Sequence, residues 1–219
     1  MKISPLVTLG VVAVLGVGIL LVNVSQESES ATPADPWAKA TTTAATLPGQ
    51  ASTAAPTAAV EQFPAKADYV AKITTANPVI TLEITVEGDK AIAYACDGNT
   101  IEAWLRGSAQ NGVLNLESKD KKSRLDGRLR GTTVAGTLSI NQKKLDFTAP
   151  QAQPPAGLYV YNRGDERTSW IIDQDGAVTG VRRRADGSTA PAPGLSADGT
   201  AVVDGQKVVA TRVEGDSDV

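Results

Sequence analysis

The chain has 219 residues, no histidine, one cysteine and a nearly balanced charge, with 21 Lys and Arg against 24 Asp and Glu and a formal net charge of −3. Without histidine it cannot form a Ser-His-Asp or Cys-His catalytic arrangement, and the usual zinc sites of His or clustered Cys are excluded as well. One cysteine allows no internal disulfide, and the balanced charge argues against a general nucleic-acid-binding protein, which is usually strongly basic.

An apolar run begins the chain. Residues 3–24 carry no charged side chain, and as a helix they would cover roughly 30 Å, the thickness of the hydrocarbon core of a bilayer. Lys2 precedes the run and Glu27 and Glu29 follow it, so the positive-inside rule predicts a cytoplasmic N-terminus and an extracytoplasmic remainder. A cleaved signal peptide is the alternative, although the run exceeds the usual apolar core of about 7–15 residues. We predict an uncleaved transmembrane anchor at residues 1–24, while cleavage further along stays open.

The composition of residues 25–66, rich in Ala, Thr and Pro, predicts a disordered linker. Residues 31–60 alone contain 11 Ala, 7 Thr and 4 Pro, a composition that buries too little apolar surface to fold by itself. A Thr- and Pro-rich stalk outside a membrane is also a typical substrate for O-glycosylation. Glycosylation of these threonines is a hypothesis that an intact mass would test.

From residue 67 the sequence changes to short runs in which apolar and polar residues alternate. This period of two is typical of half-buried antiparallel strands, and the Asp-Gly and Asn-Gly pairs between runs favour tight hairpins. Residues 67–150 contain about eight such strands in an up-and-down order, which is enough to close a small barrel. We therefore predict an all-β fold with a barrel-like domain at 67–150. An open sheet or a sandwich is the alternative.

The alternation also predicts which side chains face the interior of this domain. Ile92, Tyr94 and Cys96 share one face, and Ile101 and Leu105 share the inward face of the next strand. Cysteine is among the most buried residue types and behaves as a small hydrophobe. A neighbouring carboxylate would also raise the pKa of its thiol and make it less reactive. We interpret Cys96 as a core residue, with an intermolecular disulfide as the alternative.

Prolines at 150, 154 and 155 interrupt the alternation of apolar and polar residues. The sequence of residues 151–219 then predicts a C-terminal extension of β-hairpins. The segments at 157–161 and 169–183 and those at 200–203 and 207–213 read as hairpin strands. Between them residues 186–199 resemble an exposed loop, and the last residues predict a disordered tip. Asp173-Gln174-Asp175-Gly176 begins like a calcium loop but lacks the later ligands, so a turn is the better interpretation.

Two groups of outward-facing side chains form the predicted interaction surface: Glu102, Trp104 and Arg106, and then Arg124, Arg128 and Arg130. The second group belongs to a basic stretch that begins at Lys119. Together with Lys143, Lys144 and the run Arg182-Arg183-Arg184, it would face a polyanion such as an anionic lipid or a phosphorylated glycan. Exposed aromatic residues such as Trp104 are frequent in binding surfaces. The alternative is solubilising charge on the outer faces of strands.

A family resemblance adds a location. The run AIAYACDGNTIEAWLRG, the segments GTTVAGTLSI and KKLDFTAP, and the segments PPAGLYVY and WIIDQDGAVTGV resemble a group of actinobacterial, mycobacterial-type envelope proteins. Members of this group look like single-pass or secreted proteins with an Ala/Pro/Thr-rich stalk and an extracellular β-domain carrying the CDG…EAWL core. The resemblance covers roughly residues 68–182 and implies a place in the cell envelope, with no assigned chemistry and no functional residues.

Together these features favour a membrane-anchored extracytoplasmic β-domain that acts without catalysis as a binding or accessory module, for example in a membrane protein complex. We predict no catalytic residue, metal or cofactor. The expected partners are the membrane, another envelope or membrane protein, and an anionic lipid or glycan, but no nucleic acid. One alternative is a carrier barrel for a lipid or another small apolar molecule. A carboxylate-based glycan hydrolase is a further alternative, for which no pair of acids stands out.

Overall fold

A computed structural model describes residues 61–219. The predicted anchor at 1–24 and most of the predicted linker lie outside the described residues. Within residues 61–219 there is no helix long and apolar enough to cross a membrane. This part of the chain is all-β, as the sequence predicts.

The first eight strands form a closed antiparallel barrel in which each strand pairs with the next and the eighth returns to the first. The predicted up-and-down barrel of about eight strands is therefore confirmed. The strands are β1 Lys66–Ile73, β2 Ile80–Glu87, β3 Lys90–Cys96, β4 Glu102–Gln110, β5 Val113–Glu117, β6 Ser123–Arg130, β7 Thr133–Ile140 and β8 Lys143–Ala152.

The barrel closes through residues 151 and 152, which lie outside the predicted barrel domain at 67–150. Strand β8 continues through Pro150 to Ala152, and β1 pairs with β8 by aligning Asp68 with Ala152 and Tyr69 with Gln151. The predicted boundary at residue 150 therefore falls two residues too early.

Tight turns connect the barrel strands where the sequence predicts them. Asn111 and Gly112 both have positive φ, 53° and 69°, as the turn of a two-residue hairpin requires. Gly88 and Gly131, at φ 61° and 60°, turn the chain at two further hairpins. Asp97 binds the main chain of the β3–β4 turn, since its Oδ1 accepts hydrogen bonds of 2.8 Å from the amides of Asn99, Thr100 and Ile101.

Side chains fill the barrel interior. Leu82, Ile84, Leu105, Leu114 and Leu138 have no exposed surface and belong to one continuous cluster. By strand parity, glycines at 107, 127 and 136 share this face. At Gly107 and Gly136 the backbone of the paired strand leaves no room for a Cβ, and at Gly127 the Val134 side chain would lie 3.1 Å from one. Such glycines allow strongly bent strands to close a small barrel. The cavities described below therefore lie at one end of the barrel rather than inside it.

The remaining strands build a second sheet in the order β12-β11-β10-β9-β15, and β13 pairs with β14 as a separate hairpin. The strands are β9 Gly157–Arg163, β10 Glu166–Ile172, β11 Val178–Arg183, β12 Thr189–Pro191, β13 Thr200–Val203, β14 Gln206–Val209 and β15 Thr211–Arg212. The predicted C-terminal hairpins are thus present, and the 186–199 segment is partly ordered, because it contains β12 and the buried Leu195.

The second sheet packs against the outer face of the barrel. The prediction that Ile92, Tyr94 and Cys96 face the barrel interior is therefore wrong. Ile92, Tyr94 and Cys96 are fully buried, but they lie in the cluster between the two sheets, with Leu158 and Ile171. The interior positions of β3 are instead three alanines, at 91, 93 and 95. Both faces of this strand are therefore buried.

Candidate functional site

The six residues of the predicted interaction surface lie in three separate places. Glu102 and Trp104 lie between the barrel and the second sheet. Arg106 contacts the C-terminal residues. The arginines at 124, 128 and 130 stand on the free wall of the barrel.

Glu102 joins the two sheets instead of facing solvent. Its side chain is 1% exposed and receives an ion pair from Arg167 at 3.3 Å and another from Arg183 at 2.8 Å. Trp104 Nε1 also donates to Glu102 Oε1 at 3.0 Å. The Arg167 guanidinium lies 4.5 Å from the centroid of the Trp104 ring, within the range of a cation–π contact. Glu102 and Trp104 therefore hold the second sheet on the barrel.

Arg106 is engaged by the end of the chain. Its guanidinium donates to the main-chain oxygen of Ser217 at 2.8 Å and to that of Val219. Glu214 N donates to the Ser217 hydroxyl at 2.8 Å, and Gly215 lies so close to β2 that a Cβ there would be 2.4 Å from Glu87 N. The predicted disordered tip is therefore packed on the barrel.

The arginines of β6 face outward as their parity predicts. Residues along β6 alternate between buried and exposed, and Arg124, Arg128 and Arg130 are exposed. Arg124 is paired with Asp126 through two bonds of 2.7 Å. The column runs from one end of the barrel to the other, so only Arg124 lies near the lysines described next.

One end of the barrel concentrates positive charge, and we call it the basic end. It comprises Lys119, Lys121, Lys122, Arg124, Lys143 and Lys144, contributed by the β5–β6 loop, the start of β6 and the start of β8. Lys122 pairs with Asp120 at 3.7 Å. Within residues 61–219 no carboxylate lies at ion-pair distance from the other four lysines.

Three cavities open at the basic end. A cavity of about 640 Å³ lies between the barrel end and the second sheet, and its lining includes Lys119, Lys122 and Arg183. Another, of about 560 Å³, is lined by Lys121, Lys144 and neighbouring polar residues. The third, of about 340 Å³, is largely apolar and lies at the barrel mouth. Cationic and apolar surfaces are thus adjacent at this end.

The opposite end receives the chain from the linker. Glu61 Oε1 accepts a hydrogen bond of 3.0 Å from Gly131 N, and Gly88 N donates to Ala65 O at 2.8 Å. Phe63 packs edge-on against Tyr69, with ring centroids 6.2 Å apart. Residues 61–65 therefore belong to the folded domain, although the sequence analysis placed them in the linker.

Cys96 is buried, as predicted, and its thiol is poorly reactive. The residue has no exposed surface, and burial raises the pKa of its thiol to about 12. Since the thiolate is the reactive form, and since the side chain has no exposed surface, the structure gives Cys96 a packing role.

We expect the Cys96 thiol to react with a water-soluble thiol reagent at pH 8 at least about a hundredfold more slowly in the folded protein than in urea, because reaction requires opening of the structure. The measurement is the absorbance of the released reagent anion, and the single cysteine makes the signal unambiguous. Equal rates in the folded and unfolded chain would contradict this burial.

Asp173 stabilises a turn and forms an ion pair. Its Oδ1 accepts hydrogen bonds from the amides of Asp175 at 2.9 Å and Ala177 at 2.8 Å, and its other oxygen pairs with Lys72. Burial alone would raise the pKa of Asp173, but Lys72 and these amides hold it below its usual value. In residues 61–219 no group of three or more His, Cys, Asp or Glu side chains is arranged to bind a metal ion.

A buried acid between the sheets is the residue that the sequence analysis missed. Glu83 has no exposed surface, and within the described chain neither of its carboxyl oxygens has a hydrogen-bond donor. Asp68 lies beside it and pairs with Arg212 at 2.8 Å. Burial and, next, the charge of Asp68 raise the pKa of Glu83 well above its usual value. The alternation in ITLEITV places Glu83 opposite the barrel interior, but only the second sheet explains its burial.

Comparison with known proteins adds no function. No protein-family model matches the chain, and no curated protein matches it. A solved structure from Nitrosomonas europaea, provisionally named AttH, matches over 63% of this chain and 74% of its own at 13% identity, with a TM-score of 0.22. A TM-score this low carries no argument about a shared fold or activity.

Proposed function

We propose that this chain is a non-enzymatic binding module of the cell envelope, anchored by residues 1–24 and displaying its β-domain outside the membrane. The ligand is an envelope component that carries phosphate or carboxylate groups, and it binds at the basic end. The observation that carries the proposal is the cluster of Lys119, Lys121, Lys143 and Lys144 at one end of a chain whose formal net charge is −3.

The pairing pattern supports a binding role for these lysines. Several arginines of the second sheet are engaged, for example Arg182 with Asp204 at 2.7 Å and Arg212 with Asp68 at 2.8 Å. Lys90 and Lys207 also have no carboxylate at ion-pair distance among residues 61–219, but they lie outside the basic end. The four lysines at the basic end keep their charge available for a ligand. Clustered positive charge raises the local concentration of anions and speeds their association.

The position of residues 61–65 supports the same proposal. Residues 61–65 pack at the opposite end, against Gly88 and Gly131. A module tethered through that end keeps its basic end accessible. The tether would also hold the module near the membrane and raise its effective concentration for an envelope ligand.

The test measures binding of the full chain, held in nanodiscs of neutral lipid, to inorganic polyphosphate as a probe of repeated phosphate groups. The Lys119→Ser/Lys144→Ser variant should bind at least about tenfold more weakly at low salt, and the slope of log K against log salt should fall by about two. The control is Lys90→Ser/Lys207→Ser, which removes two exposed lysines away from the basic end.

Retention of wild-type affinity by the control supports the proposal. If the wild type shows no salt-dependent binding, or if both double variants weaken it equally, the basic end is not the binding surface and the proposal is wrong.

A further inference from the structure

The barrel mouth holds an apolar cavity beside the basic end. Its volume is about 340 Å³, and Ile80, Ile101, Ile140 and Leu145 contribute to its lining. A volume of this size falls at the lower end of the range for small-molecule pockets, about 300–1,000 Å³. The exposed Val79, in the same loop as Pro78 of the cavity wall, extends the apolar surface outward.

Cations border this cavity on two sides. Lys143 is part of its own lining. The 640 Å³ cavity shares Ile101 and Ile140 with it and carries Lys119 and Lys122. A ligand that enters the mouth therefore meets an apolar wall and positive charge within one continuous surface.

The filled barrel limits how far such a ligand can enter. Leu82, Leu105 and Leu138 lie inside the barrel without exposed surface, so an alkyl chain ends at the mouth. A purely polar anion would leave the apolar wall in contact with water. A neutral apolar molecule would make no use of the lysines.

We propose that the barrel mouth and the basic end together bind one anionic amphiphile. Its alkyl end lies against Ile101 and Leu145, and its phosphate or carboxylate group pairs with Lys119 or Lys143. This inference rests on the proposed function and specifies its ligand as a single lipid-like molecule, distinct from the surface of a bilayer. Burial of apolar area supplies affinity, while the charges orient the ligand.

The experiment uses octyl phosphate carrying a diazirine near the end of its alkyl chain, added to the full chain in nanodiscs of neutral lipid. After illumination, peptide mass spectrometry should place the main labels within residues 75–80, 101 and 140–145. The matching octyl alcohol probe, which lacks the phosphate, should label these positions at least about tenfold less, because it cannot pair with the lysines.

Two tryptophan variants test the cavity itself. Ala76→Trp, at an exposed position in the cavity lining, should lower labelling at least about tenfold by filling the mouth. Ala197→Trp, at an exposed position in the loop before β13, should leave labelling unchanged. A circular dichroism spectrum like that of the wild type shows that each variant is folded.

The outcomes separate this inference from the proposed function. Equal labelling by the neutral probe, or labels that spread evenly over the surface, would overturn the amphiphile inference. Polyphosphate binding without labels at the mouth would overturn it as well and leave the anion-binding proposal intact. Loss of both signals would overturn both.

Discussion

Replacing Gly136 by alanine is expected to destabilise the domain by about 3 kcal/mol or more, at the upper end of the usual cost of overpacking a core. A Cβ at this position would lie 2.1 Å from Asp126 O and 2.7 Å from the Cα atom of Gly127. These are backbone atoms of the paired strand β6, so no side-chain rotation relieves the clash. The two paired strands would have to separate at this point.

Urea unfolding, followed by tryptophan fluorescence, measures the change in the free energy of unfolding. Gly194→Ala is the matched control, because a Cβ there has no neighbour within 4 Å and its backbone does not require glycine. It should change the free energy of unfolding by less than about 0.5 kcal/mol, as surface substitutions usually do. If Gly136→Ala were as stable as this control, the bent, filled barrel would be wrong.

The barrel could be predicted because its signals are local. Period-two alternation identifies the strands, and pairs such as Asn111-Gly112 identify the turns, without knowledge of any distant contact. The same parity placed Leu105 and Leu138 inside and Arg128 outside, as the structure has them.

The docking of the second sheet could not be predicted in the same way, although one signal was present. Strand β3 reads KAIAYAC, with six apolar residues in a row, and such a run is typical of a strand buried on both faces. If Tyr94 and Cys96 faced the interior, the alanines that alternate with them along the strand would face outward, yet a run of six apolar residues predicts that both sets are buried. The interior of a narrow barrel takes the small alanines, and the larger side chains face the second sheet.

The candidate site depends on contacts between distant parts of the chain. Glu102 meets Arg167 and Arg183, which lie 65 and 81 residues away, and no sequence pattern indicates these pairs. The barrel mouth likewise brings the β1–β2 loop to the start of β8. By contrast, the basic stretch from Lys119 and the lysines at 143 and 144 are visible in the sequence, and the structure brings them to the same end of the barrel.

The protonation of the Glu83 carboxyl group is linked to the stability of the folded domain. Asp68 Oδ1 and both carboxyl oxygens of Glu83 lack a hydrogen-bond partner among residues 61–219. A proton on Glu83 turns one of these oxygens into a donor toward Asp68, whereas two facing carboxylates repel each other. Besides Asp68, the charged groups that act on Glu83 are Arg212, which lowers its pKa, and Glu214, which raises it.

The sign of the pH dependence follows from the direction of this shift. The pKa of Glu83 is raised in the folded state above its usual value of 4.5. Its favourable contribution is therefore fully present below about pH 4.5, the unfolded value, and is lost as the pH rises through the folded value. Exposed, paired carboxylates have the opposite effect on stability at acid pH. For example, Arg182 and Arg163 lower the pKa of Asp204 to about 2, so its contribution is lost as the pH falls.

We therefore expect Glu83→Gln to be more stable than the wild type at pH 8 by about 1–3 kcal/mol, the usual penalty for a buried polar group without a partner. The amide is neutral at every pH and can donate to Asp68, so the gain should shrink toward zero near pH 4. Urea unfolding from pH 4 to pH 8 measures the difference, and the exposed Glu117→Gln controls for the loss of a surface carboxylate. A constant difference across this range would show that folding does not raise the pKa of Glu83. A loss of stability at pH 8 would show that Glu83 is ionised between the two sheets. In that case the acid would be compensated by Arg212, and the two sheets would be joined by an ion pair instead of a protonated carboxyl group.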